Sequence, residues 1–354
     1  MSLPTMPEFR SILLWQTAFL GDAVLTLPLA QTLATAFPGA AVHLVVRKGL
    51  SPLFRSHPDL ASVREFDKRG RGKGLAGARN MGREIGREGH DLLASPHASF
   101  RSALVARASG IPVRVGYSAP WYNRLAYTHT IDRRFDEFEE IERLLRLTLP
   151  LGLNETDWDH RPRLTLPQEE RGKAGELLSS LPAPVLGLHP GSVWPTKRWP
   201  AGSFAAVADR ALEAGASVAL FAGPGEEETA AEVKRTMRGK DSPRFLDLSG
   251  ELSLPLLAAV LGGLDCYLTN DSGPMHLAWT QHTPTVALFG PTVRSLGFFP
   301  RGERSVVLEA DVACRPCGLH GGRTCKPGHH RCMTEITPEI AWAEVKGQLE
   351  RGRG

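Results

Sequence analysis

Short apolar runs separated by amphipathic stretches recur along almost the whole chain, and this alternation restricts the fold more than any other feature. In the first half the runs are SILLWQ (11–16), AVHLVV (41–46), DLLAS (91–95) and VRVGY (113–117), with helical patterns at 22–36, 99–109 and 135–148. In the second half they are VLGLHP (185–190), SVALFAG (217–223), FLDLSG (245–250), CYLTND (266–271) and TVALFG (285–290). Helical patterns at 203–214, 226–237, 254–262 and 273–281 separate these. Strands this apolar are covered on both faces, and strand–helix alternation joins them in parallel, so the chain reads as α/β. The series restarts after the polar stretch DWDHRPRLTLPQEERG (157–172), with a helix at 173–180 leading into the second half. Two doubly wound domains are expected, 1–165 and 175–335, and a length of 354 residues suits two domains. TPEIAWAEVKGQLE (337–350) opens with helix-start signals, giving a C-terminal helix over 336–354 that is free to pack back toward the N-terminal domain. Ligands of open α/β sheets sit beyond the carboxyl ends of the strands, so a cleft between the two domains is the expected site.

Composition narrows the function classes. Apolar residues at 42% and charged residues at 23% describe a globular chain with ample core. No apolar run reaches the roughly 18 to 20 residues of a membrane span. MSLPTMPEFR lacks the basic and apolar regions of a secretory signal, which points to the cytosol. The net charge of +4 is mild, but residues 64–88 hold eight Lys or Arg against four Asp or Glu. Such a run is either a solvated loop and helix face or a patch for a phosphorylated lipid or anionic headgroup. With Phe66 its only aromatic, the run is poorly suited to stacking on single strands.

Four strand-to-helix turns carry residues suited to binding or catalysis. HPGSVWPTKRWP (189–200) offers backbone N–H groups, the hydroxyl of Ser192 or Thr196 and the charge of Lys197, a set that grips a diphosphate or is merely an ordinary turn. TNDSGPMHLA (269–278) opens a helix at a strand end; Asp271, Ser272 and Gly273 suit sugar hydroxyls and a phosphate, while His276 is either a cleft residue or a core histidine. FAGPGEEE (221–228) imitates a dinucleotide fingerprint but has Glu228 at the last glycine position, so one of its glutamates is better suited to ribose hydroxyls. In WQTAFLGDAVLTLPLA (15–30), Asp22 is an N-terminal helix residue or a carboxylate aimed at the cleft. Separately, Cys314, Cys317, Cys325 and Cys332 are spaced C-x2-C-x7-C-x6-C, a pattern compatible with structural zinc although the second pair is widely spaced. Cys266, on a strand, reads as core.

Taken together, these motifs resemble the bacterial heptosyltransferases, glycosyltransferase family 9, and most of all the heptosyltransferase II type. The resemblance rests on LGD (20–22), RSALVARASGIPVRVGY (101–117), HPGS and TKRWP within 189–200, FAGPGEEE, TNDSGPMHLA, ALFGPT (287–292) and CRPCGLHGGRTCKPGHHRCM (314–333). It implies a GT-B fold of two Rossmann-like domains, with the acceptor on the N-terminal one and the donor mostly on the C-terminal one. It implies ADP-L-glycero-β-D-manno-heptose as donor, and Kdo-lipid A or heptosyl-Kdo-lipid A as the lipid-linked acceptor. Transfer would be inverting and need no metal cofactor, at the cytoplasmic face of the inner membrane, with no nucleic acid involved. On this resemblance Asp22 is the catalytic base. Ser192 or Thr196, with Lys197, meets the diphosphate, Glu226 holds the nucleoside, and Asp271, Ser272, Gly273 and His276 line the donor sugar and phosphates. Arg101 and Arg114 are the acceptor-side candidates. Pro274-Met275 departs from the Leu-Met or Leu-Ser common in the family. The rival readings are a GT-B enzyme using another nucleotide sugar, a GT-B-like protein that binds such a sugar without transferring it, and a cysteine–zinc protein that binds nucleic acid.

Overall fold

The computed structural model describes residues 8–351, and the chain divides into two compact units, one ending at Thr165 and one beginning at Leu166. The first unit holds the strands β1 (Ser11–Gln16), β2 (Ala41–Arg47), β3 (Ser62–Phe66), β4 (Leu92–Ala94), β5 (Val113–Tyr117) and β6 (His129–Ile131). Its helices are α1 (Leu20–Leu25), α2 (Leu27–Ala36), α3 (Ser51–Phe54), α4 (Gly74–Gly86), α5 (Phe100–Ser109), α6 (Asn123–Ala126) and α7 (Glu140–Leu145). The second unit has β7 (Val185–His189), β8 (Ser217–Leu220), β9 (Phe245–Asp247), β10 (Cys266–Asn270), β11 (Thr285–Phe289) and β12 (Ser305–Glu309). Its helices are α8 (Gln168–Leu178), α9 (Ala201–Glu213), α10 (Glu227–Thr236), α11 (Leu254–Gly262), α12 (Gly273–Thr280), α13 (Arg331–Thr334) and α14 (Pro338–Arg351).

Each unit is one six-stranded parallel sheet. The orders are β3-β2-β1-β4-β5-β6 and β12-β11-β10-β7-β8-β9, the same doubly wound arrangement written from opposite edges. The order reverses between β1 and β4 in one sheet and between β7 and β10 in the other. At such a point neighbouring loops diverge to opposite faces and leave a crevice at the carboxyl ends.

The central strands are long apolar runs because helices cover them on both sides. Leu13, Trp15, Leu93, Ala103, Val105 and Ile111 are among the buried residues of one first-unit cluster. Leu186, Leu188, Phe204, Val218, Leu268, Val286 and Leu288 belong to the second-unit core, together with Val345 and Leu349 of α14. The last helix thus lies on α9, β10 and β11.

Helix limits follow local chemistry. The hydroxyl of Ser99 accepts the Ser102 N–H at the start of α5, and Gly110, at φ +64°, ends it. The pattern at 22–36 resolves into two helices meeting at Thr26, because Pro28 has no N–H to continue the ladder from α1. β3, β6 and β12, absent from the sequence expectation, all lie at sheet edges. One side of an edge strand is open, so it does not need a continuous apolar run.

Candidate functional site

The crevice of the second unit is formed by the loop after β7 and the turn between β10 and α12. Asn270, buried at the end of β10, closes this loop at both ends. Its side-chain amide donates to the Pro190 carbonyl at 2.8 Å, and its oxygen accepts the Trp199 N–H at 3.0 Å. Inside the loop the Arg198 guanidinium donates to the Ser192 carbonyl at 2.8 Å. Lys197 sits in a single turn of 3-10 helix, Pro195–Lys197, which turns its stem inward. Its ammonium lies 2.5 Å from Asp271 Oδ2, with both side chains nearly buried. The Thr292 hydroxyl, in the loop after β11, donates to the same oxygen at 2.6 Å.

The remaining second-unit residues fall into distinct roles. Ser192 is buried and accepts only a long hydrogen bond of 3.4 Å from the Trp194 N–H, so its hydroxyl still has a proton to donate. Thr196 is committed elsewhere: its hydroxyl accepts the Gly322 N–H at 2.7 Å and donates to the Gly322 carbonyl at 2.9 Å. Between the two hydroxyls proposed from the sequence, the geometry favours Ser192. Ser272 occupies the N-cap position of α12 without a side-chain cap hydrogen bond, with Gly273 at the first position and Pro274 in the first turn. His276 is buried one turn further on; its Nδ1 has no hydrogen-bond partner, and burial lowers its pKa to about 4. It is therefore neutral at physiological pH.

Glu226 is drawn inward while Glu227 and Glu228 are exposed. Its Oε2 accepts from His189 Nε2 at 2.9 Å and from the Gly223 N–H at 3.0 Å. Burial pushes this carboxyl up, but the His189 and Gly223 hydrogen bonds and the nearby Arg198 outweigh it and hold it below the usual glutamate value.

The four clustered cysteines and Cys266 are free thiols. Burial, and after it the neighbouring thiols, raise Cys317, and Cys332 is pushed up to about 11 by burial. Among the described residues no three His, Cys, Asp or Glu side chains are arranged to hold a metal ion. The Cys-bearing segment buttresses the binding loops. His330 Nε2 bonds the Thr196 carbonyl at 2.7 Å, and Arg315 donates to the Thr292 and Phe289 carbonyls at 2.8 and 3.0 Å.

In the first unit the crevice lies between the loops after β1 and β4, joined by a 3.1 Å hydrogen bond between Thr17 and His97 Nδ1. Asp22 stands in the first turn of α1, where its carboxylate accepts the Phe19 N–H at 3.1 Å. Lys68 and Arg133 are close enough for the Asp22 charge to act on both. Lys68 has its pKa lowered to about 8, first by burial and then by Arg101 and Arg47. His97 is lowered to about 4 by burial and then by Lys68, Arg133 and Arg101. A neutral imidazole and three cations therefore surround one side of Asp22's loop, and Arg101 belongs to this group. Arg114 does not: its guanidinium donates to the carbonyls of Ala126, at 2.8 Å, and Ile111, fastening β5 to the α6 turn. Of the basic run 64–88, Arg64 is paired with Glu84 and Glu88, while Arg69, Arg71, Lys73, Arg79, Arg83 and Arg87 are exposed.

The sequence reading did not single out Asn270, Thr292 or His189 as site residues. Each lies within a motif it quoted, at the carboxyl end of a strand or just beyond it.

Residues 78–323 match the family description "Glycosyltransferase family 9 (heptosyltransferase)". The chain is 26% identical to lipopolysaccharide heptosyltransferase 2 of Escherichia coli K12 over 96% of its own length and 98% of that protein's. Among solved structures, a glycosyl transferase family 9 protein of Veillonella parvula superposes with a TM-score of 0.85 at 26% identity, covering 99% of both chains. The E. coli ADP-heptose lipopolysaccharide heptosyltransferase II has the same fold, with a TM-score of 0.80 at 23% identity over 97% of this chain and 100% of that one.

Proposed function

Because the chain belongs to glycosyltransferase family 9, the heptosyltransferases of the lipopolysaccharide core, we propose that it moves heptose from ADP-L-glycero-β-D-manno-heptose to Kdo-lipid A or heptosyl-Kdo-lipid A. The anomeric carbon inverts in the step. An acceptor hydroxyl oxygen bonds to that carbon as its bond to the diphosphate oxygen breaks. The hydroxyl proton passes to Asp22, and the bonding electrons leave with ADP. The transition state is oxocarbenium-like, as in glycoside chemistry.

The second unit holds the donor in this reading. Lys197, the Ser192 hydroxyl and the amino end of α12 face the diphosphate and offset the charge that grows on it, so the step needs no metal ion. Asp271, Ser272 and Gly273 lie beside the sugar and phosphates, with neutral His276 behind them. The first unit meets the acceptor with Lys68 and Arg101, cations suited to the carboxylates and phosphates of an inner core, while Arg133 is held by the buried Glu140 carboxylate. Asp22 stands in the first turn of a helix and takes the proton late, as the new bond forms.

The observation that carries the reading is the buried meeting of Lys197, Asp271 and Thr292 at the point where the second sheet reverses its strand order. The test offers the enzyme heptose or its nearest analogue as ADP-, UDP- and GDP-sugars, with a heptose-deficient core acceptor. Release of ADP from ADP-heptose alone supports the reading. Turnover with another nucleotide sugar points to the rival donor, and binding without release points to a non-transferring protein.

We place the reaction at the cytoplasmic face of the inner membrane, with the enzyme held peripherally. No helix among the described residues is long and apolar enough to cross a membrane. Phe100, Trp121 and Leu125 are 52%, 75% and 68% exposed. Tyr122 ties them together, through a 5.1 Å ring contact with Phe100 and a place in the chain between the other two. Exposed Arg124 and half-buried Arg101 flank this patch. Aromatic and basic side chains side by side suit an anionic lipid surface.

A further inference from the structure

We infer that Tyr267, His189 and Glu226 form a hydrogen-bonded relay that presents one carboxylate oxygen to the 2′,3′-diol of the donor's ribose. This rests on the reading of Glu226 as the nucleoside contact. Tyr267 lies on β10 opposite Gly187 of β7, fully buried. Gly187 makes room for it: a Cβ there would fall 2.4 Å from the Leu264 side chain and 3.0 Å from both the Tyr267 and Phe221 rings. A phenol buried this deeply needs a hydrogen-bond partner, since an unmet hydroxyl is costly. It has two, the Thr269 side chain and His189 Nδ1, the latter 2.8 Å away, and the opposite nitrogen of the ring lies 2.9 Å from Glu226 Oε2.

The protons can be assigned from the chemistry. The Glu226 carboxylate can only accept, so the ring proton sits on Nε2 and leaves Nδ1 to accept the Tyr267 O–H. The imidazole is then the tautomer protonated at Nε2, and that N–H donates to the carboxylate. The carboxylate has a second donor in the Gly223 N–H at 3.0 Å. Beneath it lies Gly191, where a Cβ would be only 2.1 Å from Oε2. Both protein donors thus converge on Oε2, which leaves Oε1 to accept from a ligand. Glu226 stands at the start of α10, after the glycine turn that ends β8's loop, where a nucleoside bound beyond the strand ends would lie. Tyr267 and His189 touch no substrate in this scheme; they are positioning residues, fixing the direction in which Oε1 points.

A merely structural role for these side chains would weaken every nucleotide alike, whereas a relay aimed at ribose changes the discrimination between nucleotides. The experiment measures competitive inhibition of ADP-heptose turnover by ADP and by 2′-deoxy-ADP in the wild type, Tyr267→Phe, His189→Leu and Glu226→Gln. The wild type is expected to bind ADP about tenfold or more tightly than the deoxy analogue, the usual worth of a hydrogen bond to a charged acceptor. That ratio should fall to about threefold or less in His189→Leu and Glu226→Gln, and to an intermediate value in Tyr267→Phe, whose shape is unchanged. The donor KM should rise more than kcat falls, because the relay acts on the nucleoside and not on the anomeric carbon. A wild-type ratio near one, or variants that lose affinity for both nucleotides equally with the ratio intact, overturns the relay while leaving the donor reading in place. Failure of ADP to inhibit the wild type at all sinks the donor reading and the relay with it.

Discussion

Lys197 Nζ and the Thr292 hydroxyl meet on a single oxygen of Asp271, 2.5 and 2.6 Å away, so loops following three different strands converge on one buried carboxylate. Removing one partner of such a pair strands the other charge in a poorly solvated place, at a cost of about 3–5 kcal/mol. Lys197→Met is therefore expected to lower the melting temperature by several degrees as well as abolish turnover. Adding Asp271→Asn removes the stranded charge and should restore much of the stability but none of the activity. Thermal melting of the two variants checks this; equal melting temperatures would contradict it.

Lys68 supplies a pH dependence. Its folded pKa of about 8 lies below the ordinary lysine value. As pH rises through 8 the folded protein releases this proton and loses one of the cations proposed to meet the acceptor. kcat/KM for the acceptor, which reports the free enzyme, should fall above about pH 8 by up to roughly tenfold per unit. The stability effect has the opposite sign. The unfolded chain still holds the proton between 8 and the ordinary value, so folding becomes easier over that interval. Lys68→Arg should flatten the alkaline limb; a limb unchanged in that variant would remove Lys68 from the acceptor side.

Packing in the first unit depends on two glycines of α4. A Cβ at Gly86 would sit 2.0 Å from the Ser109 carbonyl oxygen, and one at Gly82 would sit 2.5 Å from that of Val105. Both contacts are with the backbone of α5, which cannot swing aside. Gly86→Ala is expected to destabilise the fold by about 1–3 kcal/mol through forced separation of the helices. Denaturant unfolding measures this, and a variant as stable as the wild type would show that the helices slide freely.

The exposed patch around Trp121 gives a prediction at the membrane. Trp121→Ser with Leu125→Ser should weaken sedimentation with vesicles containing anionic phospholipid, by about tenfold, while turnover of a water-soluble truncated acceptor is preserved. Unaltered vesicle binding would move the membrane contact elsewhere, with the exposed arginines of α4 as the next place to look.

Much of this architecture is written locally in the sequence. The strands β1, β7, β10 and β11 are legible because burial on both faces favours apolar runs, and α11 because Ser253 caps it and Pro255 fits its first turn. The edge strands β3, β6 and β12 escape because open edges tolerate residues such as Arg64 and Glu65. Candidate residues beyond the strand ends, such as Lys197 and Asp271, could be named because doubly wound sheets put their ligands there. Their partnership could not, since it joins positions 74 apart in the chain. The same limit hid the engagement of Thr196 with Gly322, and the local engagement of Arg114 with Ala126 and Ile111 was equally unreadable. Nothing in a linear string distinguishes a hydroxyl or guanidinium awaiting a ligand from one already bonded to the backbone.

The account turns on Asp22 as the group that takes the acceptor's proton. Asp22→Asn keeps an acceptor for the Phe19 N–H and so preserves the helix start. ADP release from ADP-heptose, measured with a heptose-deficient Kdo-lipid A acceptor at saturating concentrations, is expected to fall in this variant by about 10²–10⁴-fold, with melting temperature and ADP affinity unchanged. Turnover close to that of the wild type would contradict the assignment and the mechanism built on it.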